Sequence, residues 1–92
     1  MGYYAVFLPM KDKEKSKEFR PQHLAFLKQM RDEKKILMNG PFTDGTGGLV
    51  IYAADNLDEA TSYLKQDPYI INGARDWEIH EWVMETDVGF DF

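Results

Sequence analysis

Three stretches of this chain are apolar on both faces when read as strands, and this limits its possible folds more than any other feature. Tyr3, Ala5 and Phe7 alternate with Tyr4, Val6 and Leu8. Leu49, Ile51 and Ala53 alternate with Val50, Tyr52 and Ala54, and Trp77, Ile79 and Val83 oppose Trp82 and Met84. An antiparallel sheet with one wet face should instead alternate apolar and polar residues. Ninety-two residues without a linker predict one domain over 1–92. Only two segments read as substantial helices, and two helices cover one side of a sheet. An uncovered patch of this size is unusual on a monomer. The expected arrangement is therefore a homodimer packed sheet to sheet.

The order of elements follows from local signals. Tyr3 to Leu8 is aromatic and β-branched, as strands are, and Pro9 ends it. Polar residues 11–18 form a connection to a helix from about Pro21 to Glu33. Pro fits the first helical position because its missing N–H would be unpaired there. Arg20 is then the N-cap, with Phe19 packing on Leu24 as a hydrophobic staple. Ile36 to Gly40 is a short strand, and Pro41 to Gly48 a glycine-rich loop. Leu49 to Ala54 is the third strand. Asn56 caps a second helix, with Glu59 as its capping-box partner, and that helix stops near Gln66 ahead of Pro68. Pro68 to Asn72 reads as one further turn closed by Gly73, and Arg75 to Met84 as the last strand. Residues 85–92 are a tail without an assigned structure. The resulting β-α-β-β-α-β order predicts an α+β ferredoxin-like plait, an antiparallel sheet with both helices on one face.

Composition removes several function classes. The net charge is −5 and the pI about 4.9, and the only basic cluster, Lys11 to Lys17, is broken by Asp12 and Glu14. A phosphate backbone demands a basic stripe, so no nucleic acid is expected as a partner. No apolar run is long enough to span a bilayer and no signal peptide is visible, so no membrane partner and a cytoplasmic location are expected. With no cysteine and no HxH or HxxxH spacing, neither a metal site nor a cofactor is expected.

His23 is the residue most suggestive of chemistry, because it shares an apolar stripe with Phe19, Phe26, Leu27 and Met30. Burial and a helix N-terminus both favour the neutral imidazole, the form that accepts a proton as a general base. The alternative is a structural histidine bonded to a backbone carbonyl. Asp67 either N-caps the turn starting at Pro68 or orients His23 and stabilises its imidazolium, as carboxylates do in His-Asp pairs. Antiparallel helices would bring the two together. Asp44, in the Asp44-Gly45 turn dipeptide, either serves the turn or borders a pocket. The loop spells neither GxGxxG nor a P-loop, and no serine has nucleophile-elbow spacing.

Arg20-Pro-Gln-His23-Leu, then Gly40-Pro-Phe, Gly47-Gly48 before a strand, Glu59-Ala60 and Asp67-Pro-Tyr69, in that order, resemble the YCII-related (YciI-like) family over residues 3–84. The resemblance implies a dimeric α+β barrel arrangement of ferredoxin-like plaits. It also implies a His-Asp pair in an active-site pocket, which maps to His23 and Asp67. One branch of the family resembles dehydrochlorinases acting on chlorinated hydroxyquinols. The expected activity is cofactor-independent acid/base chemistry, an isomerisation or elimination, on a small molecule. Arg20, Phe42, Asp44 and Tyr69 are the expected substrate-binding residues. The alternative is a non-catalytic ligand-binding or interaction module, partner to an enzyme, in which His23 and Asp67 tie two helix ends together.

Overall fold

A computed structural model describes residues 1–89. Its elements are β1 (Gly2–Pro9), α1 (Lys13–Glu18), α2 (Arg20–Asp32), β2 (Ile36–Pro41), β3 (Gly47–Ala54), α3 (Leu57–Leu64), α4 (Pro68–Ile71) and β4 (Glu78–Trp82). The four strands form one antiparallel sheet in the order β2-β3-β1-β4. This is the expected plait, with the strands that flank each long helical connection separated by a third strand lying between them. Residues 90–92 of the expected tail lie outside the described residues.

Alternation along the strands decides which side chains meet the helices. Tyr4, Val6 and Leu8 of β1 and Val50, Tyr52 and Ala54 of β3 are buried with Leu27, Met30 and Leu64. Each buried side chain of this kind contributes roughly 1.5–3 kcal/mol relative to exposure. The other face carries Tyr3, Ala5, Phe7, Leu49 and Ile51, and among the described residues no helix lies over it. Exposed apolar side chains gather at that face: Met38 is 43% exposed, Phe42 39% and Trp82 43%.

Most element boundaries differ from the sequence reading by one or two residues, and three differences have a clear physical cause. Residues expected as a polar connection include a helix, α1, because Asp12 accepts from the Lys15 N–H at 3.1 Å as a side-chain cap. The cap of α2 is Phe19 instead of Arg20. Its N–H donates to the Lys15 carbonyl and its own carbonyl accepts from the His23 N–H, so it belongs to both helices. As the cap itself, Phe19 does not occupy the staple position that precedes one. The last strand spans Glu78–Trp82 instead of 75–84. Its register with β1 continues to a bridge between Met10 and Arg75, but Pro9 has no N–H to give the ladder between them. At the other end β4 stops opposite Tyr3, one residue from the start of β1.

The caps further along match the reading. Asn56 accepts from the Glu59 N–H at 2.8 Å, and Glu59 reaches back to the Asp55 N–H at 3.1 Å. Asp67 caps α4 by accepting from the Tyr69 N–H at 2.9 Å. The glycine-rich loop closes the β2–β3 hairpin. Gly47, at φ 146°, is required there, since a Cβ would fall 2.3 Å from the Leu8 carbonyl oxygen.

Candidate functional site

Four elements converge on the helix-covered side of the sheet. The first turn of α2 supplies Arg20 and His23, the N-terminus of α4 supplies Asp67 and Tyr69, β2 supplies Asn39, and the segment before β4 supplies Arg75. Between them and the ends of β1 and β3 lies a cleft of about 60 Å³. Leu24, Leu27 and Val50 form its apolar wall.

His23 Nδ1 lies 2.8 Å from Asp67 Oδ1. His23 is 8% exposed and Asp67 fully buried. The same Oδ1 also accepts from the Tyr69 N–H, so one oxygen caps α4 and holds the imidazole. Oδ2 is buried without a hydrogen-bond partner among the described residues. Tyr69 stacks on the imidazole, with ring centroids 3.9 Å apart and planes 12° apart, which fixes the ring's rotation as well as its position. With Nδ1 committed to Asp67, Nε2 is the ring nitrogen left for a ligand. Burial, and then the negative charge of Asp67, push the Tyr52 hydroxyl far above its usual range, so Tyr52 stays neutral beside the pair.

Arg75 also lies over the ring of Tyr69. Its Cζ sits 4.6 Å from the ring centroid, Nη1 donates to the Leu8 carbonyl at 3.2 Å, and Nη2 donates to Ser16 Oγ at 3.0 Å. The sequence singled out neither Arg75 nor Asn39. Ser16 and Leu8 are 59 and 67 positions away from Arg75, so no local pattern marks it.

The expected substrate-binding residues separate in space. Arg20 and Tyr69 line the cleft beside His23. Phe42 lines a different hollow, on the opposite face of the sheet, with Met38, Ile51 and Trp82. Asp44 borders neither hollow. It is exposed and accepts from the Thr46 N–H at 3.0 Å and the Thr46 hydroxyl at 2.7 Å, which hold its carboxyl below the usual range. Among the described residues there is no cluster of three His, Cys, Asp or Glu that could hold a metal ion, and no helix is long and apolar enough to cross a membrane.

Comparison with known proteins adds a family and a fold. The YCII-related domain matches residues 1–83. The uncharacterized protein YjpA of Bacillus subtilis (strain 168) is 34% identical over 83 residues, which cover 90% of this chain and 98% of the relative. An uncharacterized protein of Haemophilus influenzae (strain ATCC 51907 / DSM 11121 / KW20 / Rd) is 36% identical, covering 77% of this chain and 85% of its own. Among solved structures, a 5-chloro-2-hydroxyhydroquinone dehydrochlorinase from Burkholderia phenoliruptrix AC1100, in complex with 2,5-dihydroxybenzoquinone, superposes with a TM-score of 0.74. It is 22% identical, with 87% of this chain and 92% of that one covered, a likeness of fold.

Proposed function

The chain belongs to the YCII-related family, and from that premise we propose that it is a small-molecule enzyme in which His23 and Asp67 carry out cofactor-independent acid/base chemistry. The observation that carries this reading is the buried pair itself: an imidazole held through Nδ1 at 2.8 Å by a fully buried carboxylate, with Nε2 left for the cleft. Nε2 takes a proton from a carbon or hydroxyl of the substrate, and the Asp67 carboxylate stabilises the imidazolium so formed. Returning that proton to a different atom gives an isomerisation. Expelling a leaving group with the electron pair gives an elimination. Tyr69 keeps the ring in register, and Arg20 at the mouth contacts the substrate. The fold neighbour's dehydrochlorinase activity and bound quinone support hydroxylated quinols and quinones as the first compounds to try.

Sheet-to-sheet pairing with a second copy belongs to the same proposal. It is supported by the apolar side chains of Met38, Phe42 and Trp82 on the face no helix covers.

Proton exchange into substrate carbon tests the chemistry. In deuterated buffer, the parent protein should catalyse deuterium incorporation into at least one member of a panel of hydroxyquinols, hydroxyquinones and small ketones. His23→Gln should lower that rate at least a hundredfold, with Asp67→Asn in between. Equal rates for the parent and His23→Gln would overturn the catalytic role. A second reading is favoured by Asp67 Oδ1 also capping α4: the pair is then a structural tie in a binding module. In that case Asp67→Asn would lower stability while no panel member exchanged.

A further inference from the structure

The cleft beside His23 is lined by the hydrogen-bond donors of Arg20, Asn39 and Arg75 and by no carboxylate. We infer that it takes an anion: a small carboxylate, or the phenolate or enolate of a hydroxylated ring, with the charged head inside and the carbon skeleton against Leu24 and Leu27. This inference rests on the acid/base reading of His23 and names its substrate class.

The charge balance is the first observation. Arg20, His23 and Arg75 line the cleft, and no Asp or Glu does, although the chain has 16 acidic residues against 11 basic ones. Asp67 lies behind the imidazole, bonded to it. The first turn of α2 contains no carboxylate. Among the described residues Arg75 meets two neutral oxygens and the face of Tyr69, and its buried Nε has no hydrogen-bond partner. Its positive charge is thus held at the cleft and not neutralised there. A half-buried guanidinium met only by neutral groups favours a nearby negative charge, because the surrounding dielectric is lower than that of water.

The second observation is the orientation of an amide. Asn39 Oδ1 accepts from Arg31 Nη1 at 2.5 Å, an exposed contact between β2 and α2. An arginine can only donate, so the contact fixes the amide with its oxygen toward Arg31. The NH2 group of Asn39 is what remains for the cleft it lines. The guanidinium and the amide NH2 then border a space of about 60 Å³, with the lone pair of the imidazole Nε2 left to take the proton. For an elimination or isomerisation, the same donors hold the negative charge that builds as Nε2 removes the proton.

Matched pairs of ligands test this in the intact protein. Benzoate and benzamide have nearly the same shape and differ in charge, as do 2,5-dihydroxybenzoquinone, as its anion, and 2,5-dimethylbenzoquinone. Each is titrated while the His23 side-chain nitrogens and the backbone amide of Tyr69 are followed by NMR. The anion of each pair should bind at least tenfold more tightly, and added salt should weaken it. Arg20→Gln should reduce that preference at least threefold. Because Arg75 joins α1 to β1, Arg75→Lys is used beside it: the fold is kept, the charge is kept, and the fixed fork is lost, so anion affinity should fall while the neutral ligand is unaffected. Equal binding of the two members of each pair, no anion response at His23, or unchanged selectivity in both variants would overturn the inference. Neutral ligands binding at His23 while anions do not would remove the anion assignment and leave the proton-transfer reading standing.

Discussion

The two faces of this sheet each carry a histidine beside a carboxylate and an aromatic ring, and they differ almost completely in what surrounds them. On the helix-covered face, the His23 and Asp67 side chains are 11% and 0% exposed and 2.8 Å apart. On the open face, His80 Nε2 lies 3.1 Å from Glu78, with side chains 58% and 64% exposed. Tyr69 lies flat on His23 at 3.9 Å, whereas Phe7 meets His80 edge-on at 6.3 Å. Each set joins an imidazole, a carboxylate and an aromatic ring, but the solvent around them differs. Moving a charge pair from water to a protein-like dielectric near 20 strengthens its attraction about fourfold, and burial also removes the rotamer freedom that surface pairs must lose on pairing. Walls, more than ingredients, separate a candidate acid/base pair from a surface contact.

Removing one carboxylate from each face should break the symmetry most strongly. Asp67→Ala leaves the Tyr69 N–H and His23 Nδ1 without their shared acceptor, and should cost about 3 kcal/mol of stability. Glu78→Ala should leave the urea midpoint unchanged within error. Comparable losses from both would mean that burial does not distinguish the faces.

The next effect concerns what covers the open face. If a second copy packs there, Trp82→Glu should raise the dimer dissociation constant at least a hundredfold, about 2.7 kcal/mol, with far-UV circular dichroism unchanged. Light scattering that finds the parent chain monomeric at micromolar concentration would remove the dimer and leave the His23 side untouched.

Most of this contrast is legible in the residues, and the parts that are not have physical reasons. The plait follows from strands at 3–8 and 49–54 and from caps that act locally, Asn56 with Glu59 and Asp67 with Tyr69. The pairing of His23 with Asp67 spans 44 positions, and only the antiparallel packing of helical segments and the family motifs suggested it. The helix α1 was hidden because alternating Lys and Glu look the same in a solvated loop, and the deciding contact is one Asp12 side chain. Arg75 and Asn39 had no signal at all. Their meaning lies in which carbonyl, hydroxyl or guanidinium the fold brings alongside, and chain spacing does not carry that.

A smaller effect separates the faces by pH. The Tyr52 hydroxyl is raised above its ordinary 10.0 chiefly by burial and then by the Asp67 charge. A group whose folded value is raised contributes stability that is complete below the unfolded value and lost as pH rises above it. Stability should therefore fall above pH 10 by about 1.4 kcal/mol per pH unit through this one phenol. Chemical denaturation at pH 9, 10 and 11 should show a steeper alkaline loss in the parent than in Tyr52→Phe. Parallel profiles would mean that Tyr52 ionises freely and that the layer around Asp67 is wetter than its burial indicates.

The smallest effect is expected at Asp44, which the sequence offered as a turn residue or a pocket residue and which the structure places in the hairpin turn. Hydrogen bonds from the Thr46 hydroxyl, and then from its N–H, lower its ordinary value of 3.8. That contribution is complete above the unfolded value and is lost as pH falls through the lowered one, so Asp44→Ala should flatten only the acid limb of the stability profile. The same substitution should leave the response of His23 to benzoate unchanged, because Asp44 borders neither the cleft nor the open-face hollow. A tenfold change in that response would extend the site across the Gly40–Gly48 hairpin, and would mean that the turn closes over the ligand when it binds.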